Sequence, residues 1–219
     1  MVGVMDSWSV WSIDFASAGR VPRSDTEEAG LGVYHPRKLL YDPLPWTAKL
    51  TIPSLQFVGD IAQPLHTAGI DLGGNTIRVT FNGFKTNLHA VWDSAIPNSI
   101  FGLAPNASIT FENSFGFASK LAAAINEGEY KDRVQGWIDC YDVRSSQAIE
   151  DATLRWADDT NKAVCTYVLK DGDVAINNTE VGGVYAVGAH PIVEEALARA
   201  GVRLSVWLNL IFADDTGFS

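Results

Sequence analysis

Two of the four histidines in this 219-residue chain lie close together, among aspartates spaced to meet them. His66 follows Asp60 by six residues, His89 precedes Asp93 by four, and Asp71 lies between the two histidines. Residues four apart share one face of a helix, so the side chains of His89 and Asp93 should point the same way. Imidazole nitrogens and carboxylate oxygens together form the ligand sets of zinc and similar ions. The spacing therefore predicts a metal site.

A hairpin signal between the two histidines indicates how they would meet. Residues 77–81 alternate apolar and polar side chains, and Asn82-Gly83 follows them. Asn-Gly between such runs is the strongest short hairpin signal, because both turn positions take a positive φ. The hairpin would close the chain on itself and bring His66 toward His89.

Each His/Asp pair also has an ordinary structural interpretation. A histidine and an aspartate four apart frequently form an ion pair on a helix surface, and such pairs also perturb pKa values. One hypothesis is therefore a structural helical module without a metal. The convergence of Asp60, His66, His89 and Asp93 on one hairpin supports the metal site, and on spacing alone both hypotheses stay open.

Composition and charge limit the possible functions. Apolar residues make up 47% of the chain, which is typical of a globular protein with a sizeable core. No run of 18 uncharged apolar residues occurs, so we expect no membrane span. The net charge of −10 argues against a purely electrostatic grip on nucleic acid or anionic membranes. An enzyme of nucleic acids remains compatible with this charge, because bound cations invert it locally.

Helical periodicity dominates the second half of the chain. The apolar spacing predicts helices over 117–125 and 145–168, and a long helix over 191–212 that begins at its proline. Residues 1–50 hold no lasting period and are punctuated by Gly and Pro, so we expect an irregular N-terminal segment. Residues 51–214 then form one mainly α domain with one small β-hairpin.

Three sequence blocks resemble those of the S1/P1 nuclease family, in the family's order and at its spacing. They read FVGDIAQPLH (57–66), DLGGN (71–75) and NLHAVWD (87–93). Two later stretches, 156–165 and 189–209, are similar to the family's late and closing helices. Together the three central blocks are highly specific.

The resemblance implies a phospholipase C/P1 nuclease-like helical fold with three clustered zinc ions. Members of the family are secreted, glycosylated nucleases that cut single-stranded DNA or RNA and 3′-nucleotides, leaving 5′-phosphates. By position, His66, His89 and Asp93 resemble the three protein ligands of one zinc. Asp60 resembles the catalytic carboxylate shared by the other two ions. Three protein ligands leave an open position on zinc for water or a phosphate oxygen.

Several positions depart from the family pattern. The family has a histidine four residues before the shared aspartate, where this chain has Gln56, and an amide is a poor zinc ligand. The family's amino-terminal tryptophan, with a histidine soon after it, has no counterpart, which leaves His35 and Asp42 as upstream candidates. We therefore expect an incomplete domain, one well-formed zinc site, and weak or no activity. The alternative is a non-catalytic zinc- or phosphate-binding remnant.

The sequence contains few signals of secretion or of disulfide bonding. Asn106 and Asn177 begin glycosylation sequons, which are weak motifs compatible with secretion. The first residues lack a basic start and contain acidic residues, so no signal peptide is visible. The two cysteines form no zinc pattern. The resemblance implies a partner for Cys165, which in this chain would be Cys140 or none.

Overall fold

The structure is a computed structural model that describes residues 56–139, 142–213 and 216–218. Four features named above lie outside these ranges: the segment 1–50, His35, Asp42 and Cys140.

Helices make up most of the described chain, which confirms the mainly α fold class. The α-helices are α1 (Asp71–Gly74), α2 (Leu88–Ala90), α3 (Ile96–Ile100), α4 (Phe111–Asn126), α5 (Ser146–Ala163), α6 (Asp173–Ile176) and α7 (Val184–Phe212). A helical turn over 56–60 precedes them. Two π-helical segments, Val91–Ala95 and Val164–Val168, follow α2 and α5, and 3₁₀-helices span Pro64–Thr67 and Lys131–Trp137.

The hairpin forms as the sequence predicted. Strand β1 (Arg78–Phe81) pairs antiparallel with β2 (Phe84–Asn87). Asn82 and Gly83 form the turn with φ of 49° and 83°, the left-handed backbone that this dipeptide favours. A third strand, β3 (Thr179–Glu180), joins β1 in parallel and gives the sheet order β2-β1-β3. The sequence pattern missed β3 because two residues are too short to show a period.

Helix α4 is longer than its apolar spacing predicted. It begins at Phe111 rather than at residue 117, because the Thr110 hydroxyl accepts a hydrogen bond from the Asn113 N–H at 3.3 Å. This is a standard N-terminal cap, which satisfies an amide hydrogen that the helix itself cannot pair. The first turn of α4 contains no buried apolar residue, so it does not extend the apolar period.

The predicted start of the last helix was wrong. Helix α7 begins at Val184, and Pro191 lies inside it rather than at its first turn. Proline is unfavourable inside a helix because it lacks an amide hydrogen. Here the turns before it carry Ala186 and Ala189, both buried, so packing on the core holds this part of the chain helical against local propensity.

One apolar core joins the elements that carry the candidate site. Trp92, in the π-helical segment after α2, is completely buried. Its indole Nε1–H donates to the hydroxyl of Tyr185 at 3.0 Å, and its ring meets those of Tyr167 and Tyr185 edge to face. The π-helical segment that follows α2 is thereby held against α7 beneath the site. None of the helices described reaches the length and hydropathy of a membrane span.

Candidate metal centre

Three of the predicted site residues converge in the structure. His66, His89 and Asp93 each offer one ligand atom, and these atoms lie within 4.8 Å of one another. Nε2 of His66 lies 3.2 Å from Oδ1 of Asp93, and Nε2 of His89 lies 3.2 Å from Oδ2. The two imidazole rings stack, with centroids 5.0 Å apart and planes at 28°. Two nitrogens and a carboxylate thus face one point, which is the donor set expected for a divalent ion such as zinc.

Three local elements bring this cluster together. His66 lies on the 3₁₀-helix Pro64–Thr67, His89 lies in α2, and Asp93 lies in the π-helical segment after it. Helix α2 begins directly after β2, because the amide oxygen of Asn87 caps its first turn. The hairpin therefore places the start of α2 beside the chain that precedes β1, and His89 comes to face His66.

Backbone carbonyls hold both imidazole rings in place. Nδ1 of His66 lies 2.9 Å from the carbonyl oxygen of Asp60, and Nδ1 of His89 lies 2.7 Å from that of Gly73. A carbonyl oxygen only accepts hydrogen bonds, so each Nδ1 carries the proton and donates it. In the neutral imidazole each Nε2 is then free to bind a metal ion through its lone pair, whereas in the protonated imidazole each Nε2–H donates to Asp93.

Electrostatics favour a positive charge in the cluster. Burial alone raises the pKa of the Asp93 carboxyl, but hydrogen bonds from His66, His89 and Gln63 outweigh it and hold this pKa well below its usual range. The hydrogen bond to Asp93 raises the pKa of His89, against an opposing effect of burial. A proton and a metal ion compete for the same Nε2, so metal binding weakens as the pH falls.

The side chain of Gln63, which the sequence patterns had not singled out, also belongs to the cluster. It is completely buried, and its amide Nε2 donates to Oδ1 of Asp93 at 2.8 Å. Its Oε1 accepts from the N–H of Leu65 at 2.5 Å, which caps the 3₁₀-helix that carries His66. One signal was available, because Gln63 lies within the first of the three blocks.

Helix α1 is a left-handed turn rather than a regular helix. Asp71, Leu72, Gly73 and Gly74 all have positive φ, from 49° to 82°. This run directs the Gly73 carbonyl toward His89. Two of the four residues are not glycine, and a positive φ is strained for them, so tertiary contacts must hold the turn.

Asp71 does not meet the histidines, which corrects the expectation from its position. Its carboxylate is exposed and accepts a hydrogen bond from the Thr76 hydroxyl at 2.9 Å. The physical reason is the left-handed backbone at Asp71, which ties the carboxylate to its own turn instead of the cluster. Asp71 therefore shapes the turn that positions the Gly73 carbonyl.

Gly73→Ala is expected to weaken metal binding and to destabilise the fold. A β-carbon at this position would lie 2.8 Å from the Leu65 carbonyl oxygen and 3.5 Å from Nδ1 of His89, at a φ of +66°. We expect a loss of about 1–3 kcal/mol in the free energy of unfolding and a metal affinity about 10–100-fold lower. Urea unfolding and a Zn²⁺ titration measure the two effects. Gly69→Ala is the matched control, because a β-carbon there meets nothing within 4 Å. If Gly73→Ala and Gly69→Ala had the same unfolding free energy and the same zinc affinity, Gly73 would not be the residue that positions His89.

Asp60 lies beside the cluster rather than in it. Its Oδ1 is 4.0 Å from Nδ1 of His66, on the side of the ring away from Asp93. Burial raises the pKa of the Asp60 carboxyl, while His66 opposes that rise. Gln56 is exposed and lies four residues earlier on the same helical turn. The role of Asp60 as a shared metal ligand stays a prediction.

An apolar groove of about 800 Å³ opens beside the histidines. His66, His89 and Asp60 lie along it, together with Phe57, Leu72 and Trp156. Phe57 is 70% exposed and Leu72 is 75% exposed, so large apolar side chains face solvent directly next to the candidate metal ligands. Such a groove can receive a flat apolar group while a charged group reaches the cluster.

The two glycosylation candidates are both exposed. Asn177 also has a structural contact, since its Oδ1 accepts from the Arg78 N–H at 3.0 Å at the start of the central strand β1. Cys165 is exposed at the start of the second π-helical segment. Glycosylation at Asn106 or Asn177 stays a prediction.

Comparisons with known proteins relate the sequence of this chain to a family of nucleases. The sequence model of the family described as S1/P1 Nuclease matches residues 51–213. Nuclease S1 of Aspergillus oryzae is 37% identical over 157 residues, which cover 72% of this chain and 52% of that protein. Nuclease P1 of Penicillium citrinum is 34% identical over 161 residues, covering 74% and 57%. Endonuclease 5 of Arabidopsis thaliana is 33% identical over 158 residues, covering 72% and 49%.

The chain spans about half the length of the curated relatives it matches. Its match to the family model covers well over half of its own residues, including the whole candidate centre. The resemblance inferred from the three sequence blocks is thereby confirmed. This chain belongs to the S1/P1 nuclease family.

Proposed function

We propose that this chain binds a zinc ion at His66, His89 and Asp93 and uses it to hydrolyse phosphodiester bonds in single-stranded nucleic acid and 3′-nucleotides, leaving 5′-phosphates. The observation that carries the proposal is the arrangement of the two imidazoles. Both Nε2 atoms face Asp93, and both Nδ1 atoms are held by backbone carbonyls. This donor set fits zinc better than magnesium or calcium, which prefer oxygen ligands alone.

The residues of the centre would have two roles, which are metal binding and proton transfer. A bound zinc ion supplies a Lewis acid and lowers the pKa of its water. His66 and His89 would bind it through Nε2, and Asp93 would bring the negative charge that retains it. Asp60 is the carboxylate proposed to act on the substrate side, as a proton carrier or as a ligand of a further ion. Burial raises the pKa of the Asp60 carboxyl above its ordinary value, which makes it a better proton acceptor than a fully solvated aspartate.

The groove supports single-stranded nucleic acid as the substrate. Its walls at Phe57, Leu72 and Trp156 are large and apolar, and the first two are widely exposed. Unstacked bases bind such surfaces, whereas bases inside a duplex are already stacked. The net charge of −10 would repel phosphates, so contact with the backbone depends on the bound cation.

A non-catalytic zinc- or phosphate-binding protein is the second candidate. The observation in its favour is Gln56, an amide at the position where the family has a metal-binding histidine. Within the ranges that the structure covers, one group of three ligands is close enough to hold an ion, and Asp60 is not part of it. Removing groups that act as a unit usually costs several orders of magnitude in rate, so a single-ion centre favours slow turnover.

Zinc analysis and a nuclease assay on the same preparation test the proposal. We expect about one or more zinc ions per chain after mild purification, since structural zinc binds with apparent free energies of about 10–16 kcal/mol. We also expect cleavage of single-stranded DNA to 5′-phosphate ends. His89→Ala should remove both the zinc and the cleavage.

His190→Ala is the matched control, because His190 lies outside the cluster and contacts Ser99 instead. Cleavage that survives His89→Ala would contradict the proposed centre. A chain that binds zinc but cleaves no DNA would support the non-catalytic candidate. A folded chain that binds no zinc would support the structural helical module.

A further inference from the structure

Gln63 has an unusual environment for a polar side chain. It is completely buried, and both ends of its amide are engaged. The oxygen accepts from the Leu65 N–H at 2.5 Å, and the nitrogen donates to Oδ1 of Asp93 at 2.8 Å. A buried amide costs stability unless it is hydrogen-bonded, so these two contacts explain how a glutamine is tolerated here.

The orientation of this amide follows from its partners. The Leu65 N–H can only donate, so it must face the amide oxygen of Gln63. The NH₂ group then necessarily faces Asp93, where an ionised carboxylate is the acceptor it requires. Reversing the amide would place donor against donor and acceptor against acceptor, which fixes one arrangement.

The hydrogen bond from Gln63 determines how the Asp93 carboxylate is presented. Oδ1 is shared between Gln63 and His66, and Oδ2 faces His89. Without the amide, the terminal torsion of an aspartate is broad, and the carboxylate would sample several orientations. A ligand that must be ordered when the ion binds contributes less to affinity.

We infer that Gln63 is a positioning residue of the metal centre: it holds the Asp93 carboxylate in the orientation that meets both histidines, without touching the ion. The inference rests on the proposed function, since it requires an ion at the cluster. It also assigns Oδ2 as the principal metal-binding oxygen of Asp93, because Oδ1 already accepts the amide hydrogen bond.

A purely structural role for Gln63 makes a different prediction. Its oxygen caps the 3₁₀-helix Pro64–Thr67, so loss of the side chain would also loosen the turn that carries His66. Thr67→Val perturbs the same turn without reaching Asp93, because the Thr67 hydroxyl donates to the Pro64 carbonyl at 2.8 Å. Comparing the two variants separates loosening of the turn from loss of the contact with Asp93.

Zinc dissociation constants from chelator competition provide the test. Gln63→Leu is expected to weaken zinc binding about 10–100-fold, the usual effect of removing a partner of a metal ligand. Thr67→Val is expected to change it less than about threefold. In an Asp93→Asn background, Gln63→Leu should have little further effect, because residues that act through one another are not additive. Gln63→Met, which fills a similar volume, replaces the leucine variant if that one fails to fold.

Cobalt(II) absorption adds a readout of coordination geometry, with Thr67→Val as the reference for a looser turn. Its ligand-field bands should change in Gln63→Leu and stay as in the wild type in Thr67→Val. A folded Gln63 variant with wild-type zinc affinity would overturn this inference alone. A wild-type chain that binds no zinc would overturn the proposed function and the inference together.

Discussion

Asp93→Asn is expected to lower the zinc affinity of the centre about a thousandfold, which corresponds to roughly 4 kcal/mol. Asp93 is the residue that both histidines face, with its two oxygens 3.2 Å from their Nε2 atoms. An amide of the same shape keeps the volume but loses the charge and offers only one weak oxygen ligand. The centre would then consist of two neutral imidazoles, which bind divalent ions poorly without an anionic partner.

The physical basis of this prediction is the electrostatic state of Asp93. Its pKa is held well below the usual range, so the carboxylate is negative over the whole working range of pH. The asparagine variant should also lower the pKa of His89 relative to the wild type, because the hydrogen bond that raises it is lost. A proton would leave that imidazole more readily, but no negative charge would remain to retain the ion.

Isothermal titration of the metal-free chain with Zn²⁺ measures the effect of Asp93→Asn directly. Asp151→Asn is the matched control, because it makes the same chemical change on the exposed side of α5, where the Asp151 carboxylate accepts a hydrogen bond from the Gln147 amide at 2.8 Å. At limiting zinc concentration, the nuclease activity of Asp93→Asn should fall in proportion to the fraction of chains that hold zinc. An affinity within tenfold of the wild type would refute Asp93 as a ligand.

Trp92→Ala is expected to lower the free energy of unfolding by about 3–5 kcal/mol. The indole is completely buried in the core, one residue before Asp93, and its Nε1–H donates to Tyr185. The substitution would leave a large cavity and the Tyr185 hydroxyl without its donor. A domain of this size has a total stability of only about 5–15 kcal/mol, so such a loss is a large fraction of it.

Urea unfolding followed by circular dichroism measures this loss, and Trp92→Phe is its control. Phenylalanine keeps most of the ring packing and removes the hydrogen bond, so we expect a cost nearer to about 1–2 kcal/mol. The two substitutions together separate packing from hydrogen bonding. If Trp92 were instead a surface for the substrate, Trp92→Ala would change substrate affinity and leave the unfolding midpoint unaltered.

The hairpin and the pairing of His89 with Asp93 were predictable because both depend on short-range geometry. Asn82-Gly83 takes its turn from the backbone preferences of two residues, and the spacing of four follows from the pitch of a helix. The three sequence blocks added the family, which the comparisons confirm. Helix boundaries were less predictable, as Pro191 inside α7 illustrates, because burial of neighbouring alanines outweighs local propensity.

The parts of the centre that orient its ligands depend on contacts between distant segments. Strand β3 lies beside β1 although about one hundred residues separate them, and no local period marks it. The carbonyl of Gly73 reaches His89 only because a left-handed run of four residues is held in place by its surroundings. Its first residue, Asp71, points outward for the same reason, against the expectation from its position.

The sequence by itself determined the candidate metal ligands, the hairpin that brings them together, and the family to which the chain belongs. Only the tertiary structure decided that His66, His89 and Asp93 form the compact group while Asp60 lies beside it. It also decided that Gln63 faces Asp93 from a fully buried position. The physical reason is that residue type and spacing specify local geometry, whereas side-chain orientation is set by hydrogen bonds and packing between segments far apart in the chain.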